Sequence, residues 1–506
     1  MSRIGRAAAN AATTLSVVRR LAVRRPTRRP GPAYDGNLTA AIAAARGPAL
    51  RAHLEGELAV LTPPPLPSLP PLVEEGRGTR PVSKPAVLHL VTNSLPETVA
   101  GYTIRTHGIA VAQRHHGVDA HVVTRLGFPV TKGHIDAEAV AEADGVPYHR
   151  LLAPVPLRAD RARARDIART AHLVQRLRPD VLHAHSNHLN AQVALAVGRR
   201  FGIPVVYEVR GFLEETWVSR GHSTDAESYR LTRAAEAWAM RHADAVVTLS
   251  ESMREAIVAR GIDPAKVRVT PNAVSESLLS DAGWSSRAEG RGPYRDHNEP
   301  AGGLDTLAGA RYSTSRDSRF TVGTVGTLNH YEGLDLLLDA AARVVAGGTQ
   351  VRVLIVGDGP ARADLERQAG RLGLDATFTG RVGPSQVADH HRRLDVFCVP
   401  RRDLPVTRLV PPLKPVEAMA LGRPVIASDL PPLRELVTHG HTGLVVAPDD
   451  VEALATAIGT LARRADARHQ LGEHAREFVR THRTWTAVHH TLIDLYASLT
   501  EGALHV

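Results

Sequence analysis

Lys414 and Glu417 stand three residues apart in the run Leu409-Val410-Pro411-Pro412-Leu413-Lys414-Pro415-Val416-Glu417-Ala418-Met419-Ala420, which continues as Leu421-Gly422-Arg423-Pro424-Val425-Ile426-Ala427-Ser428. The order of residue types predicts a tight loop, a helix opening near Pro415, a glycine break and a buried strand. A carboxylate in the first helical turn can accept hydrogen bonds from the vicinal hydroxyls of a sugar, and the free amides beside it can receive a phosphate. That chemistry suits a nucleotide sugar. Charge developing on a departing diphosphate needs electrostatic stabilisation. Arg401, Arg402, Arg408 and Lys414 are the basic residues of this loop. Arg408 and Lys414, nearest the helix start, are assigned that catalytic part; the plainer alternative is a solvated basic loop.

Such residues need a frame. From Ala86 the chain alternates short apolar strands with helical stretches: Val87–Val91, Val122–Thr124, Val181–His185, Val205–Val209 and Ala245–Leu249, with a helix over Ile104–His115. The pattern breaks over residues 283–318, rich in Gly, Arg, Ser and Asp. It resumes at Phe320–Val325, Val351–Val356, Ala376–Phe378, Val396–Val399, Val425–Ala427 and Leu444–Val446, and closes on a helix over Trp485–Leu499. Buried strands separated by helices imply α/β architecture with parallel sheets covered on both faces, and ligands bind at the carboxyl ends of such strands. The reading is a basic, Pro-rich extension over 1–85, an acceptor domain over 86–282, a polar linker over 283–318, a donor domain over 319–484, and a terminal helix over 485–506 returning to the first domain.

Composition narrows the classes. A chain of 506 residues exceeds one ordinary core. The formal charge of +10 is concentrated in residues 1–30, which hold eight arginines and no acid, leaving the remainder near neutral. A nucleic-acid-binding face on the folded body is therefore not expected. The same segment carries Leu15, Val18 and Leu21 beside its arginines, so peripheral contact with an anionic membrane through residues 1–30 is one reading and an unstructured tail the other. No apolar run reaches the roughly 18–20 residues that span a bilayer, and Asn10, Thr13 and Thr14 spoil a signal-peptide core. The lone Cys398, in the apolar run Val396–Val399, reads as a core residue, not a nucleophile.

Three segments of the second half carry a resemblance. Glu417-Ala418-Met419-Ala420-Leu421-Gly422-Arg423-Pro424-Val425 resembles the signature of family 4 glycosyltransferases; Val356-Gly357-Asp358-Gly359-Pro360 and Phe378-Thr379-Gly380-Arg381-Val382 match two further family segments in order and spacing. The resemblance covers about 400 residues. It implies the GT-B fold, two Rossmann-like doubly wound domains facing across a cleft, and transfer of sugar from a UDP- or GDP-sugar to a glycan or lipid-linked acceptor with retained configuration. It implies further that Glu417 binds the ribose, that Gly357, Gly359, Gly380, Arg381 and Val382 hold the nucleotide, and that no metal or other cofactor is required. Cytoplasmic location is expected from nucleotide-sugar supply and the poor signal-peptide core, and peripheral attachment at the inner face of the membrane goes with the membrane-contact reading of residues 1–30. A tight turn alone would also account for Gly357 and Gly359.

In the first half, the loop Ser94–Arg105 holds Ala100-Gly101 where the family commonly has two glycines under the donor phosphates, so Gly101 alone is carried over. The strand Asp180–His185 resembles the family strand ending in paired histidines; His185, nearest its end, is the residue expected at the reacting sugar. Tyr207–Glu215 resembles a subgroup of bacterial exopolysaccharide pathways and places Glu208 and Arg210 on the acceptor side, a surface salt bridge being the alternative. Ser250 is a weaker acceptor-side candidate. Two departures stand out. Thr327 and Glu332 occupy the places where the family commonly has an Arg and a Lys, and Leu409 the place of the first Glu of a Glu-x7-Glu pair. A degenerate GT-B protein that binds or scaffolds a partner, or a nucleotide-sugar epimerase, remains the alternative.

Overall fold

The computed structural model describes residues 11–16, 36–63, 85–280 and 319–501. Most of the basic segment 1–30, residues 64–72 of the proline run 63–72, and the stretch 283–318 thus lie outside the described residues. The chain divides into two compact units, Met1–Asn272 with Arg408–Pro411 and Trp485–Val506, and Ala273–Thr407 with Pro412–Thr484. No described helix is long and apolar enough to cross a membrane.

The first unit is built on eight strands: β1 (Ala86–Val91), β2 (Asp119–Thr124), β3 (Val140–Ala143), β4 (Val146–Arg150), β5 (Val181–His185), β6 (Val205–Val209), β7 (Ala245–Thr248) and β8 (Val267–Val269). Their order is β3-β4-β2-β1-β5-β6-β7-β8, and every pair is parallel except β3 with β4. Each of β1, β5, β6 and β7 is buried along its whole length, as continuous apolar runs between two helical layers should be. The β3–β4 hairpin escapes strand-by-strand reading because β3 is short and half exposed. Its sequence cue is Asp144-Gly145, both at positive φ, the turn that matches the twist of a two-residue hairpin. Helices Leu38–Ala44 and Pro48–Leu61 belong to this unit: Gln192 Nε2 donates to the Val60 carbonyl, and the Thr39 amide to Glu227. Helix Trp485–Glu501 lies on helix Gly101–His115 so closely that a Cβ on Gly108 would sit 2.3 Å from Trp485 Nε1.

The second unit has six parallel strands: β9 (Phe320–Val325), β10 (Val351–Val356), β11 (Ala376–Phe378), β12 (Val396–Val399), β13 (Val425–Ser428) and β14 (Gly443–Val446), ordered β11-β10-β9-β12-β13-β14. Cys398 lies fully buried in β12, where desolvation pushes its thiol far above the ordinary range. In each sheet the strand order reverses at one place, between β1 and β5 and between β9 and β12. That is where such folds open a crevice at the carboxyl ends.

Glycines set the spacing of the loops above β9 and β10. Gly357 has φ +131°, and a Cβ there would lie 1.8 Å from the Gly326 carbonyl oxygen. Gly357→Ala should therefore cost roughly 3 kcal/mol, since backbone must move as well as strain be absorbed. Gly373→Ala, at φ +63° with open space around it, should cost only about 1 kcal/mol. Denaturant midpoints of the two variants test this; equal losses would show that the close approach is not what Gly357 serves.

Candidate functional site

In the second unit the loops after β9, β10 and β11 are laced together by backbone. The Leu328 amide donates to the Asp358 carbonyl (3.1 Å), the Ala361 amide to the Leu328 carbonyl (2.9 Å), and the Gly357 amide to the Gly380 carbonyl (3.0 Å). A Cβ on Gly359 would come within 2.5 Å of the Leu328 oxygen. Gly357 and Gly359 thus answer a packing demand, and Gly380, at φ +72°, closes the same cradle. Arg381 is exposed, while Val382 packs on the core below β10 and β12.

Helix Lys414–Ala420 brings Glu417 beside this cradle, the stem of Lys414 passing 3.9 Å from where a Cβ on Gly326 would be. Lys414 Nζ lies 2.9 and 2.8 Å from the two Glu417 oxygens. His391, fully buried on helix Pro384–Arg392, places Nε2 3.4 Å from the same carboxylate. Burial works to raise the Glu417 pKa, but Lys414 and then His391 outweigh it and bring it down to about 2. At seven residues this helix is short, and no side chain caps its start. The Lys414–Glu417 pair, more than the helix dipole, sets the local field. His391 gave no sequence signal, being one of 26 histidines, on a helix with an otherwise polar face.

The remaining basic residues of the loop are held by acids. Arg401 forms a two-point pair with Glu332 (2.9 Å at each contact), and Arg402 bridges Asp335 and Asp449. Lys414 is assigned to the second unit and Arg408, on helix Pro405–Leu409, to the first. Within that unit the Leu409 side chain packs on the core, and its carbonyl accepts from Ser250 (3.2 Å) and Ser252 (3.4 Å). Ser250 also accepts the Met253 amide as N-cap of helix Glu251–Val258. Ser250 is 1% exposed, and its hydroxyl is engaged in these contacts within the first unit.

At the carboxyl ends of β5 and β6 a buried polar cluster forms around Glu208, which has no exposed surface. Arg105 Nε lies 2.6 Å and Arg210 Nε 2.9 Å from Glu208 Oε1. On the other oxygen, His183 Nε2 stands at 3.2 Å and His185 Nδ1 at 3.5 Å. Burial alone would raise the Glu208 pKa; the two guanidiniums hold it well below the carboxylate range. Desolvation first, and Arg210 next, keep His185 neutral. Arg105 also donates to the Pro271 and Thr270 carbonyls, and Arg210 to the Tyr102 carbonyl and Thr106 hydroxyl. Glu208–Arg210 is thus not a surface bridge. His185 has Nε2 2.9 Å from His89 Nδ1 and Nδ1 3.5 Å from Glu208 Oε2. Gly101 opens helix Gly101–His115, exposed, with nothing within 4 Å of a would-be Cβ.

Among the described residues, His89, His183 and His185 alone bring three potential metal-ligating atoms within 4.8 Å of one another. The sequence could not show this grouping, because the pairing of His89 with His183 arises from β1–β5 register. The His183 and His185 rings stack, centroids 4.6 Å apart and planes 28° apart, so their in-plane lone pairs do not converge well on one point. With two guanidiniums on Glu208, a dication would meet like charge. The cluster is better suited to hydrogen bonding than to an ion.

Residues 100–273 match the family model described as glycosyl transferase 4-like domain, and residues 319–464 that described as glycosyl transferases group 1. Alpha-D-kanosaminyltransferase of Streptomyces kanamyceticus is 26% identical over 313 residues, 60% of this chain and 73% of that protein. Phosphatidyl-myo-inositol mannosyltransferase of Mycolicibacterium smegmatis is 34% identical over 189 residues, 36% of this chain and less than half (47%) of its relative. Anabaena Alr3699/HepE, solved in complex with UDP-glucose, superposes with a TM-score of 0.57 at 19% identity, over 82% of this chain and 99% of its own. At that identity the likeness is one of fold.

The Lys414–Glu417 pair has a pH signature. A carboxylate depressed from 4.5 to about 2 binds fewer protons folded than unfolded, so its contribution is complete above about pH 4.5 and is lost as pH falls towards 2. Lys414→Met should therefore lower stability most near pH 6, with the deficit shrinking by pH 3. Denaturant titrations at pH 6, 4 and 3 check this; a deficit independent of pH would mean that the pair is not the coupling.

Proposed function

Because the chain belongs to the family 4 glycosyltransferases of GT-B fold, we propose that it moves a hexose-type sugar from a nucleoside diphosphate donor, UDP- or GDP-linked, to a glycan or lipid-linked acceptor, with retained anomeric configuration. The observation that carries this is the grouping of Gly357, Gly359 and Gly380, after β10 and β11, with Lys414 and Glu417 on the helix after β12. Bare backbone at the glycines lets a nucleotide approach, and Glu417 presents a carboxylate ionised at all ordinary pH to the ribose hydroxyls. Lys414 changes role as the donor arrives: it neutralises Glu417 beforehand and can share its three hydrogens with a diphosphate oxygen afterwards. The open space at Gly101, which nothing in the chain itself demands, suits a loop lying under the donor phosphates.

In this reading the acceptor hydroxyl attacks on the face that the diphosphate leaves, and a phosphate oxygen takes up its proton. The protein contributes position and charge, with no protein nucleophile and no metal. The names of the relatives, a kanosaminyltransferase and a mannosyltransferase of a lipid-borne inositol, favour a sugar donor and admit a lipid acceptor. The neighbour solved with UDP-glucose favours a uridine nucleotide. A bacterial exopolysaccharide-type pathway at the inner membrane face fits the segment Tyr207–Glu215. One observation favours the degenerate alternative: Glu332 stands where the family commonly has a lysine, and it neutralises Arg401.

Thermal-shift titration with UDP, GDP and ADP separates the two. Ligand at about 100 times its dissociation constant should stabilise the fold by about 2.7 kcal/mol. Glu417→Ala should weaken that binding roughly tenfold to a hundredfold, the loss of a charged hydrogen bond of ~1.5–3 kcal/mol. An unchanged affinity in the variant would remove Glu417 from the ribose, and no response to any nucleotide would favour the partner-binding alternative.

A further inference from the structure

Six polar contacts around Glu208 close into a ring. Gln113 Nε2 donates to Tyr496 Oη (3.2 Å), and Tyr496 Oη lies 2.6 Å from His183 Nδ1. His183 Nε2 is 3.2 Å from Glu208 Oε2, which in turn is 3.5 Å from His185 Nδ1. His185 Nε2 is 2.9 Å from His89 Nδ1, and His89 Nε2 is 2.7 Å from Gln113 Oε1. All six members are at most 2% exposed; four of the contacts are hydrogen bonds, and those of His183 Nε2 and His185 Nδ1 with Glu208 Oε2 are close approaches outside hydrogen-bond geometry.

The hydrogens can be counted. Gln113, Tyr496 and three neutral imidazoles each supply one to the ring, and Glu208, kept ionised by Arg105 and Arg210, supplies none. Six contacts share five hydrogens, so one contact has none. The Gln113 amide fixes which. Its NH2 faces Tyr496, so the hydroxyl hydrogen goes to His183 Nδ1 and the His183 hydrogen, on Nε2, to Glu208. Its carbonyl faces His89, so His89 carries its hydrogen on Nε2 and accepts from His185 Nε2–H. The contact left bare is His185 Nδ1 against Glu208 Oε2, and it is the longest of the six at 3.5 Å. Run in the opposite sense, the ring would leave His183 bare at 3.2 Å and give the His185 hydrogen to the carboxylate.

We propose that Tyr496 and Gln113 are positioning residues that hold His185 in its Nε2–H tautomer, with Nδ1 bare against Glu208. Tyr496 comes from helix Trp485–Glu501 and Gln113 from helix Gly101–His115, so two helices jointly set the state of a residue at the end of β5. The charged groups facing His185 are Glu208 and Arg210 from the β6 end and Arg105 from helix Gly101–His115; His89 and His183 face it from β1 and β5. Both guanidiniums oppose a second proton on the ring, so the choice is between neutral tautomers. The consequence for catalysis rests on the transferase reading, in which the end of β5 adjoins the reacting sugar.

Nitrogen-15 NMR of the histidine side chains in the full chain, without substrate, reads the tautomer directly. Wild-type His185 should show its hydrogen on Nε2. In Tyr496→Phe the Gln113 amide loses its anchor and can turn, letting the run reverse. His185 Nδ1 then donates to Glu208, and the tautomer ratio changes at least tenfold. Gln113→Leu should act in the same direction. An unchanged His185 tautomer in either variant that keeps its melting temperature overturns the proposal. Where transfer is measured, Tyr496→Phe should lower kcat with donor KM little altered; a changed tautomer with unchanged kcat would overturn the positioning role. Absence of transfer by the wild-type protein would sink the transferase reading alone, because the tautomer is read without a donor.

Discussion

The first unit depends on one buried carboxylate. Glu208 sits at the end of β6 with no exposed surface, and it is tolerable there only because Arg105 and Arg210 share one of its oxygens. Each arginine has further hydrogens to place, and Arg210 Nη2 gives one to the second carboxylate oxygen (3.2 Å). Arg105 gathers Thr270 and Pro271, just before the chain leaves this unit at Asn272, and Arg210 gathers the first turn of helix Gly101–His115. The second oxygen organises the histidines of β1 and β5 and, through them, Tyr496 of the last helix. Loop start, strand end, chain exit and returning helix are therefore fixed by reference to a single charge.

The second unit uses a different device. Its loops are placed by close backbone approach, with glycine wherever a Cβ would collide: Gly357 on Gly326, Gly359 on Leu328, and Gly333 on the Pro400 carbonyl at 2.0 Å. Side-chain charge enters late, at the Lys414–Glu417 pair. A surface made of bare backbone selects ligands by shape and amide pattern, and so leaves little trace of which base or sugar it takes.

The two departures from the family pattern become intelligible as packing and pairing. Leu409 replaces an acid because its side chain lies on the apolar core of the first unit while its carbonyl receives Ser250 and Ser252. Glu332 replaces a base and finds Arg401 at two 2.9 Å contacts. Lys414 is the basic residue paired with Glu417.

The sequence by itself determined the strand–helix alternation, because strands buried on both faces are short, mostly apolar runs even where they carry a buried histidine or Glu208. It also determined the glycine-marked loops and the Glu417 helix, where local backbone rules and residue type coincide. The Asp144-Gly145 hairpin was equally legible to anyone weighing turn chemistry over strand hydrophobicity. What only the tertiary structure decided are the partners. His89 and His183 are 94 residues apart and adjoin through parallel register, and His391 meets Glu417 from another helix. Tyr496 reaches His183 from 313 residues away. Such encounters are set by strand order and helix docking, to which no spacing along the chain corresponds, and so the burial of Glu208 and its pairing with Arg105 as well as Arg210 could not be read from the segment Tyr207–Glu215.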